Sequence, residues 1–288
     1  MSELVHNSSK SLTARLLGRL KGNVEEFVAP QSSFAINSFA ALSKCVRLRT
    51  LDLRLISASI SNQQLFQTLL PLQNLEVLFF PRSSSLADQL RKGDAVYAWP
   101  PRLRALHLAG GVDDYFLGRH LVLAPRSLEQ LSIQHCAQIY APTLLETLAA
   151  VGPQLKHLTI RHPMTKLQVG ALDHILLLCP SLVSLRISAD YISNGLFELI
   201  PTGHPLQVLH LDCSAQAGAD VGVDAGVICQ AVDEGRLGNL RSVGVSARLA
   251  WDATISTRRD VGELVDALED GEMERPLGVK AGVFVIKD

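Results

Sequence analysis

Aromatic residues are scarce in this chain, 5% of 288 residues, and neither sign of charge predominates. Base-stacking platforms need aromatic side chains in number, so the first scarcity argues against single-stranded nucleic acid. The 27 Lys and Arg set against 28 Asp and Glu leave a formal charge of −1, which supplies no global field for nucleic acid or an anionic membrane. Long apolar runs are missing as well. The longest, Ile175 to Leu185, is interrupted by Pro180 and is too short to span a bilayer. Met1 to Ser11 is polar, with no apolar h-region and no small-residue cleavage site, so no secretion signal is expected. Five cysteines are an odd number and contain no C-x-x-C pair, which points to buried thiols in a reduced chain, cytoplasmic and/or nuclear. No nucleic acid, membrane, metal or cofactor is expected as a partner.

What is plentiful is leucine. Apolar residues make up 47% and charged residues 19%, which excludes a disordered chain and predicts a large core. One pattern, L-x-x-L-x-L with Ile, Val or Phe allowed, recurs from end to end. It reads Leu48-Leu51-Leu53, Leu75-Leu78-Phe80, Leu103-Leu106-Leu108, Leu128-Leu131-Ile133, Leu155-Leu158-Ile160, Leu182-Leu185-Ile187, Leu206-Leu209-Leu211 and, more weakly, Leu240-Val243-Val245. Successive starts lie 27, 28, 25, 27, 27, 24 and 34 residues apart, and all but the last interval fall within the period of leucine-rich repeats.

Each L-x-L pair is a short strand with two inward side chains, and the intervening residues point to the other face. One such strand cannot bury its apolar side alone, so neighbours must stack in parallel. Helical runs lie between the strands: Gln64, Leu65, Thr68, Leu69 and Leu70; Leu144, Leu145, Leu148 and Ala149; Leu172, Ile175, Leu176 and Leu178. Each ends at a proline, Pro71, Pro153 or Pro180, which cannot continue a helix. The expected fold is α/β, a right-handed leucine-rich repeat solenoid curved into a horseshoe or arc. Its parallel β-sheet forms the concave face, and its helices, which take more room, the convex face.

One solenoid over 1–288 accommodates the whole chain. Residues 1–45 form an N-terminal helix (Leu12, Leu16, Leu17, Leu20) and a degenerate repeat at Val24-x-x-Phe27-x-Ala29. Residues 46–246 carry eight repeats, and 247–288 a C-terminal cap. In that cap a helix bearing Val261, Leu264, Val265 and Leu268 starts after Ser256 or Thr257, and Val283 to Ile286 form a last strand. The long interval holds a loop, Ser214 to Gly226, leading into a helix near Val227 to Glu234.

Cys136 follows Ile133 by three residues, and Cys179-Pro180 precedes Leu182. With the stretches SLEQLSIQHCAQIYAPTLLETLAAVGPQL and QLKHLTIRHPMTKLQVGALDHILLLCPSL, the chain resembles the cysteine-containing leucine-rich repeats of F-box proteins. FFPRSSS, Phe79 to Ser85, is similar to a segment of fungal F-box/leucine-rich repeat proteins. That resemblance, over roughly residues 20–250, implies the substrate receptor of a cullin–RING ubiquitin ligase, whose F-box grips an adaptor while the solenoid holds the substrate. The residues before the first clear repeat lack the F-box's paired Leu-Pro start and later Cys-x-x-Trp element. The resemblance therefore carries over the substrate-holding half and leaves adaptor binding open.

Outward strand positions build the binding surface of such a solenoid. The central column runs Asp52, Phe79, His107, Ser132, Thr159, Arg186, His210 and Gly244, flanked by Arg54, Gln134, His157, Arg161 and Asp212 among others. Phe79 has the chemistry of an interface anchor. Arg161 and Arg186, on adjacent strands, suit a carboxylate or phosphate. Arg82 joins them on the family resemblance. The partner-binding candidates are thus Asp52, Phe79, Arg82, His107, Arg161, Arg186, His210 and Asp212, and the ligand a protein or peptide.

No catalytic residues are assigned. His210 and Asp212 share a face with Ser132 or Ser188, but no G-x-S-x-G elbow exists, and Ser132 lies three strands from His210, roughly 14 Å away. His157 and His162 point to opposite faces and so make no metal pair. Neither G-x-G-x-x-G nor a P-loop occurs. The expectation is a noncatalytic interaction module of the F-box substrate-recognition type. The alternative is a leucine-rich repeat scaffold or regulatory protein unconnected with ubiquitination.

Overall fold

The computed structural model describes residues 12–20, 22–29, 36–56, 61–82, 97–215, 222–270 and 280–286. Two compact units, Met1–Gln138 and Ile139–Asp288, are described in turn.

In the first unit, helix α1 (residues 12–20) precedes β1 (Glu26–Val28), α2 (Ile36–Leu42), β2 (Thr50–Asp52), α3 (Asn62–Leu69), β3 (Val77–Phe79), β4 (Ala105–Ala109), α4 (Asp114–Arg119) and β5 (Gln130–Gln134). The strands are parallel and ordered as in the chain. Register aligns the central motif leucines, Leu51 with Leu78, Leu78 with Leu106 and Leu106 with Leu131, and all four are fully buried. Phe27 pairs with Leu51, so the degenerate segment adds β1 to the same sheet. Of the four leucines expected to seat α1, only Leu17 is buried; Leu12, Leu16 and Leu20 are exposed on the outermost helix of the unit.

The second unit contains α5 (Ala141–Val151), β6 (His157–Arg161), α6 (Ile175–Leu178), β7 (Ser184–Ser188), α7 (Gly195–Glu198), β8 (Val208–Asp212), α8 (Ala225–Asp233), β9 (Ser242–Ser246), α9 (Ile255–Asp270) and β10 (Gly282–Ile286). Its strands are again parallel and in chain order. The fold is thus the expected α/β leucine-rich repeat solenoid. Helix bounds shift slightly. α9 begins at Ile255, before the expected Ser256, because Thr254 and Thr257 exchange hydrogen bonds, each hydroxyl accepting the other's backbone N–H at 3.1 Å. α8 begins at Ala225, two residues early. Part of the expected loop, 216–221, and the end of FFPRSSS, 83–85, lie outside the described residues.

Two backbone devices repeat. Just before each strand, the carbonyl of one residue accepts two successive N–H groups from the next repeat: Arg49 from Glu76 and Val77, Glu76 from Arg104 and Ala105, Lys156 from Val183 and Ser184, Gln207 from Arg241 and Ser242. Ahead of that, the N–H of the first motif leucine donates to the carbonyl three residues back, as Leu48 to Cys45, Leu75 to Leu72, Leu155 to Gly152 and Leu182 to Cys179. The Leu206 turn is built differently. Its N–H donates 3.2 Å to Nδ1 of His204, whose Nε2 lies 3.2 Å from the Leu176 and Cys179 carbonyls of the preceding repeat. A side chain has replaced the backbone turn. Nδ1 must stay unprotonated to accept, and burial holds the imidazole below its ordinary pKa.

All five cysteines are buried free thiols, and burial pushes Cys136 up to about 11 and Cys179 up to about 12. Cys179 also meets Gly152, its counterpart one repeat earlier. A Cβ on Gly152 would stand 2.5 Å from the Leu178 carbonyl oxygen and 2.8 Å from Cys179 Sγ, so the repeats close only over a hydrogen. The scarce aromatics gather in the first unit. Phe66 stacks on Tyr97 at 5.1 Å and meets Trp99 edge-on at 5.0 Å, while Trp99 Nε1 donates to the His120 carbonyl at 2.8 Å.

Gly152→Ala should destabilise the fold by about 1–3 kcal/mol through overpacking, measured as a lower urea midpoint with unchanged m-value. Stability should also fall as pH is lowered from about 7.5 to 5.5. Unfolded histidine takes up a proton near pH 6.5 while folded His204 resists it, so the unfolded state binds more protons in that window. Thermal melts of wild type and His204→Gln across the range check this, the variant showing the shallower dependence.

Candidate functional site

Alternation along each strand places one row of side chains on the sheet face opposite the leucines. In the first unit, register sets Asp52 beside Phe79, Phe79 beside His107, and His107 beside Ser132. In the second it sets Thr159 beside Arg186, Arg186 beside His210, and His210 beside Gly244, with Phe284 next. Most of these residues are interlocked rather than separately exposed.

Asp52 is largely buried. Arg54, in the turn just after β2, donates to it through Nε at 3.1 Å and Nη2 at 2.6 Å. The paired guanidinium lies 4.3 Å over the Phe79 ring, and the other side of that ring stacks on His107 at 4.1 Å with the planes 11° apart. Phe79 is therefore half-buried between a cation and an imidazole, with its edge rather than its faces toward solvent. The charge-assisted bonds hold the Asp52 carboxyl below its usual pKa against the opposing effect of burial. Burial first, and then Arg54, hold His107 below the ordinary histidine value.

The second unit repeats the theme on Asp212, 2% exposed. Arg186 donates to it through Nε at 2.8 Å and Nη2 at 2.9 Å. Arg161, two strands away, reaches past the small Ser188 and brings Nε to 2.5 Å from Oδ2. That contact is ionic without hydrogen-bond alignment, since the buried Nε–H does not point at the oxygen. Arg161 and Arg186, expected to suit a carboxylate or phosphate, do meet a carboxylate. The carboxylate they grip belongs to the chain itself, because the flanking strand position carries Asp212 two repeats after Arg161. His210 packs on Gly244, where a Cβ would stand 2.6 Å from its ring, and burial holds its pKa down.

Ser188 donates to Asp190 at 2.5 Å and Ser132 accepts from Gln134 at 2.9 Å, so neither is paired with His210. Asp190 also accepts from the Ser214 N–H at 3.0 Å, and these bonds hold its carboxyl below the usual value despite burial. Arg82 is exposed beyond β3, and its carbonyl lies 3.0 Å from where a Cβ on Gly110 would stand. Among the described residues no three His, Cys, Asp or Glu side chains converge as metal ligands do, and no helix is long and apolar enough to cross a membrane. Arg54 is the residue whose role was missed. The i, i+2 spacing of Asp52 and Arg54 was its signal.

Fold and face together define a leucine-rich repeat protein whose polar strand face is organised by arginine–aspartate pairs. No family model matches the chain. It is 32% identical over 276 residues to F-box protein YDR306C of Saccharomyces cerevisiae, covering 94% of this chain and 56% of that protein. It is 31% identical over 275 residues to Protein pof5 of Schizosaccharomyces pombe, covering 95% of this chain and 77% of that one. The chain belongs to this fungal F-box-related family, and it spans about half the length of the first relative. Among solved structures, one titled as the Rad7 and Elc1 complex in yeast aligns at a TM-score of 0.38 and 13% identity, over 92% of this chain and 80% of that chain.

Asp212→Ala should cost about 1.5–3 kcal/mol, the worth of its charge-assisted hydrogen bonds, read from urea denaturation. Arg161→Ala should cost less than Arg186→Ala, because Arg161 contributes no aligned hydrogen bond.

Proposed function

We propose that the chain is a noncatalytic protein-interaction module that holds a protein or peptide on the open strand face, as the substrate-recognition part of an F-box ubiquitin ligase subunit acting in the cytoplasm or nucleus. The observation that carries this reading is a preorganised cluster on the strand face of each unit, Asp52–Arg54–Phe79–His107 in the first and Arg161–Arg186–Asp212 in the second, in a relative of a named F-box protein. Side chains already fixed by ion pairs and stacking lose little further freedom on binding, which favours affinity. The exposed edge of Phe79 and the guanidinium above it suit an apolar or aromatic partner group. The cysteine-containing repeat subtype is part of the same proposal, supported by the buried Cys136 and Cys179 at repeat positions. An adaptor grip remains attached to the ligase part of the reading alone.

Affinity purification with mass spectrometry tests both parts. Wild type should recover a ligase adaptor or cullin together with further proteins. Combined Phe79→Ala, Arg161→Ala and Arg186→Ala should lose the further proteins by about tenfold or more while keeping the adaptor. Unchanged recovery by the folded variant removes the open-face reading. Recovery of partners with neither adaptor nor cullin removes the ligase role and leaves a scaffold.

A further inference from the structure

The Asp212 cluster holds more cation than its carboxylate neutralises. Arg186 donates Nε–H and Nη2–H to Asp212 while Arg161 rests its Nε against the same oxygen without aligning an N–H, so donor groups of both guanidiniums remain for other acceptors. Among the described residues, no acceptor is aligned with any N–H of Arg161. The two arginine side chains keep 31% and 33% of their surface in solvent while that of Asp212 keeps 2%, so solvent meets guanidinium, with the carboxylate beneath. Among the described residues, two guanidiniums meet one buried carboxylate here, which leaves one positive charge uncancelled.

We propose that Arg161 and Arg186 anchor a single carboxylate of the partner polypeptide, an Asp or Glu side chain or a chain terminus, with Asp212 as the positioning residue. The inference rests on the open-face docking reading and adds the chemistry of what docks. One carboxylate cancels the surplus charge and presents two coplanar oxygens to the planar donor edges that Asp212 leaves vacant. A phosphate dianion would overshoot that balance and set excess negative charge close to the buried Asp212, where like charges are costly. Lysines could not substitute, because an ammonium that faced Asp212 would not present a second donor edge to the partner.

The test is titration of the full chain with short peptides, followed by NMR of the arginine Nε–H resonances. The probes are acetyl-Leu-Glu-Leu-amide, its Gln counterpart, its phosphoserine counterpart and acetyl-Leu-Gln-Leu with a free terminal carboxylate. The Arg161 and Arg186 signals should shift saturably with the Glu amide or the free-acid peptide, at a Kd at least about fivefold below that of the Gln amide. Which of the two binds more tightly identifies the source of the carboxylate. Arg161→Gln, whose fold is checked by its urea midpoint, should abolish the preference. Equal shifts with Glu and Gln amides, no saturation by either carboxylate, or tighter binding of the phosphoserine peptide would overturn the inference. If the peptides fail while Phe79→Ala alone still releases partners in the affinity purification, this inference falls and open-face docking stands.

Discussion

One carbonyl per repeat, set just before the strand, accepts two amide protons from the next repeat, and the arrangement depends on that shared acceptor. Arg49, Glu76, Lys156 and Gln207 each serve in this way. A carbonyl has two lone pairs, so the double bond satisfies both at once and fixes the register of the following strand without slack. With register fixed, each motif leucine falls beside its counterpart and the core is built of fully buried Leu51, Leu78, Leu106 and Leu131, or of Leu158, Leu185 and Leu209. A slip by one residue would turn every leucine to solvent.

The same register orders the opposite face, where chemistry varies. Residues at one motif position become neighbours across strands about 4.8 Å apart. Polar groups drawn that close must pair or remain hydrated, and here Arg186 and Arg161 pair with Asp212, as Arg54 pairs with Asp52 within its own repeat. Small residues make this possible. Ser188 lets Arg161 reach across a strand, and Gly244 leaves room for the His210 ring. Among the described residues Asp212 meets two arginines, although the whole chain carries a formal −1.

Where sequence reasoning stopped short, a side chain had met a partner from another repeat. Phe79 reads as an exposed anchor from its strand position, yet Arg54 and His107 cover its two faces. Arg161 and Arg186 read as suited to a carboxylate or phosphate, and they already meet the carboxylate of Asp212, 51 and 26 residues further on. His204, next to Pro205, carries no motif signal, but it replaces a backbone turn found in neighbouring repeats. The thiols read as core residues, and they are.

Leucine spacing by itself determined the strands, their parallel order and the apolar core, because a period of one strand and one return path admits few other ways to bury those side chains. It also determined which residues share the polar face, since alternation is a local property. Tertiary structure alone decided which of them are free to act. Pairing of charges depends on reach, angle and the size of the residue between, and these exist only when strands from different repeats lie side by side. The low aromatic content and near-neutral charge described the chain as a whole. The stack on Phe79 and the surplus guanidinium over Asp212 are properties of places within it.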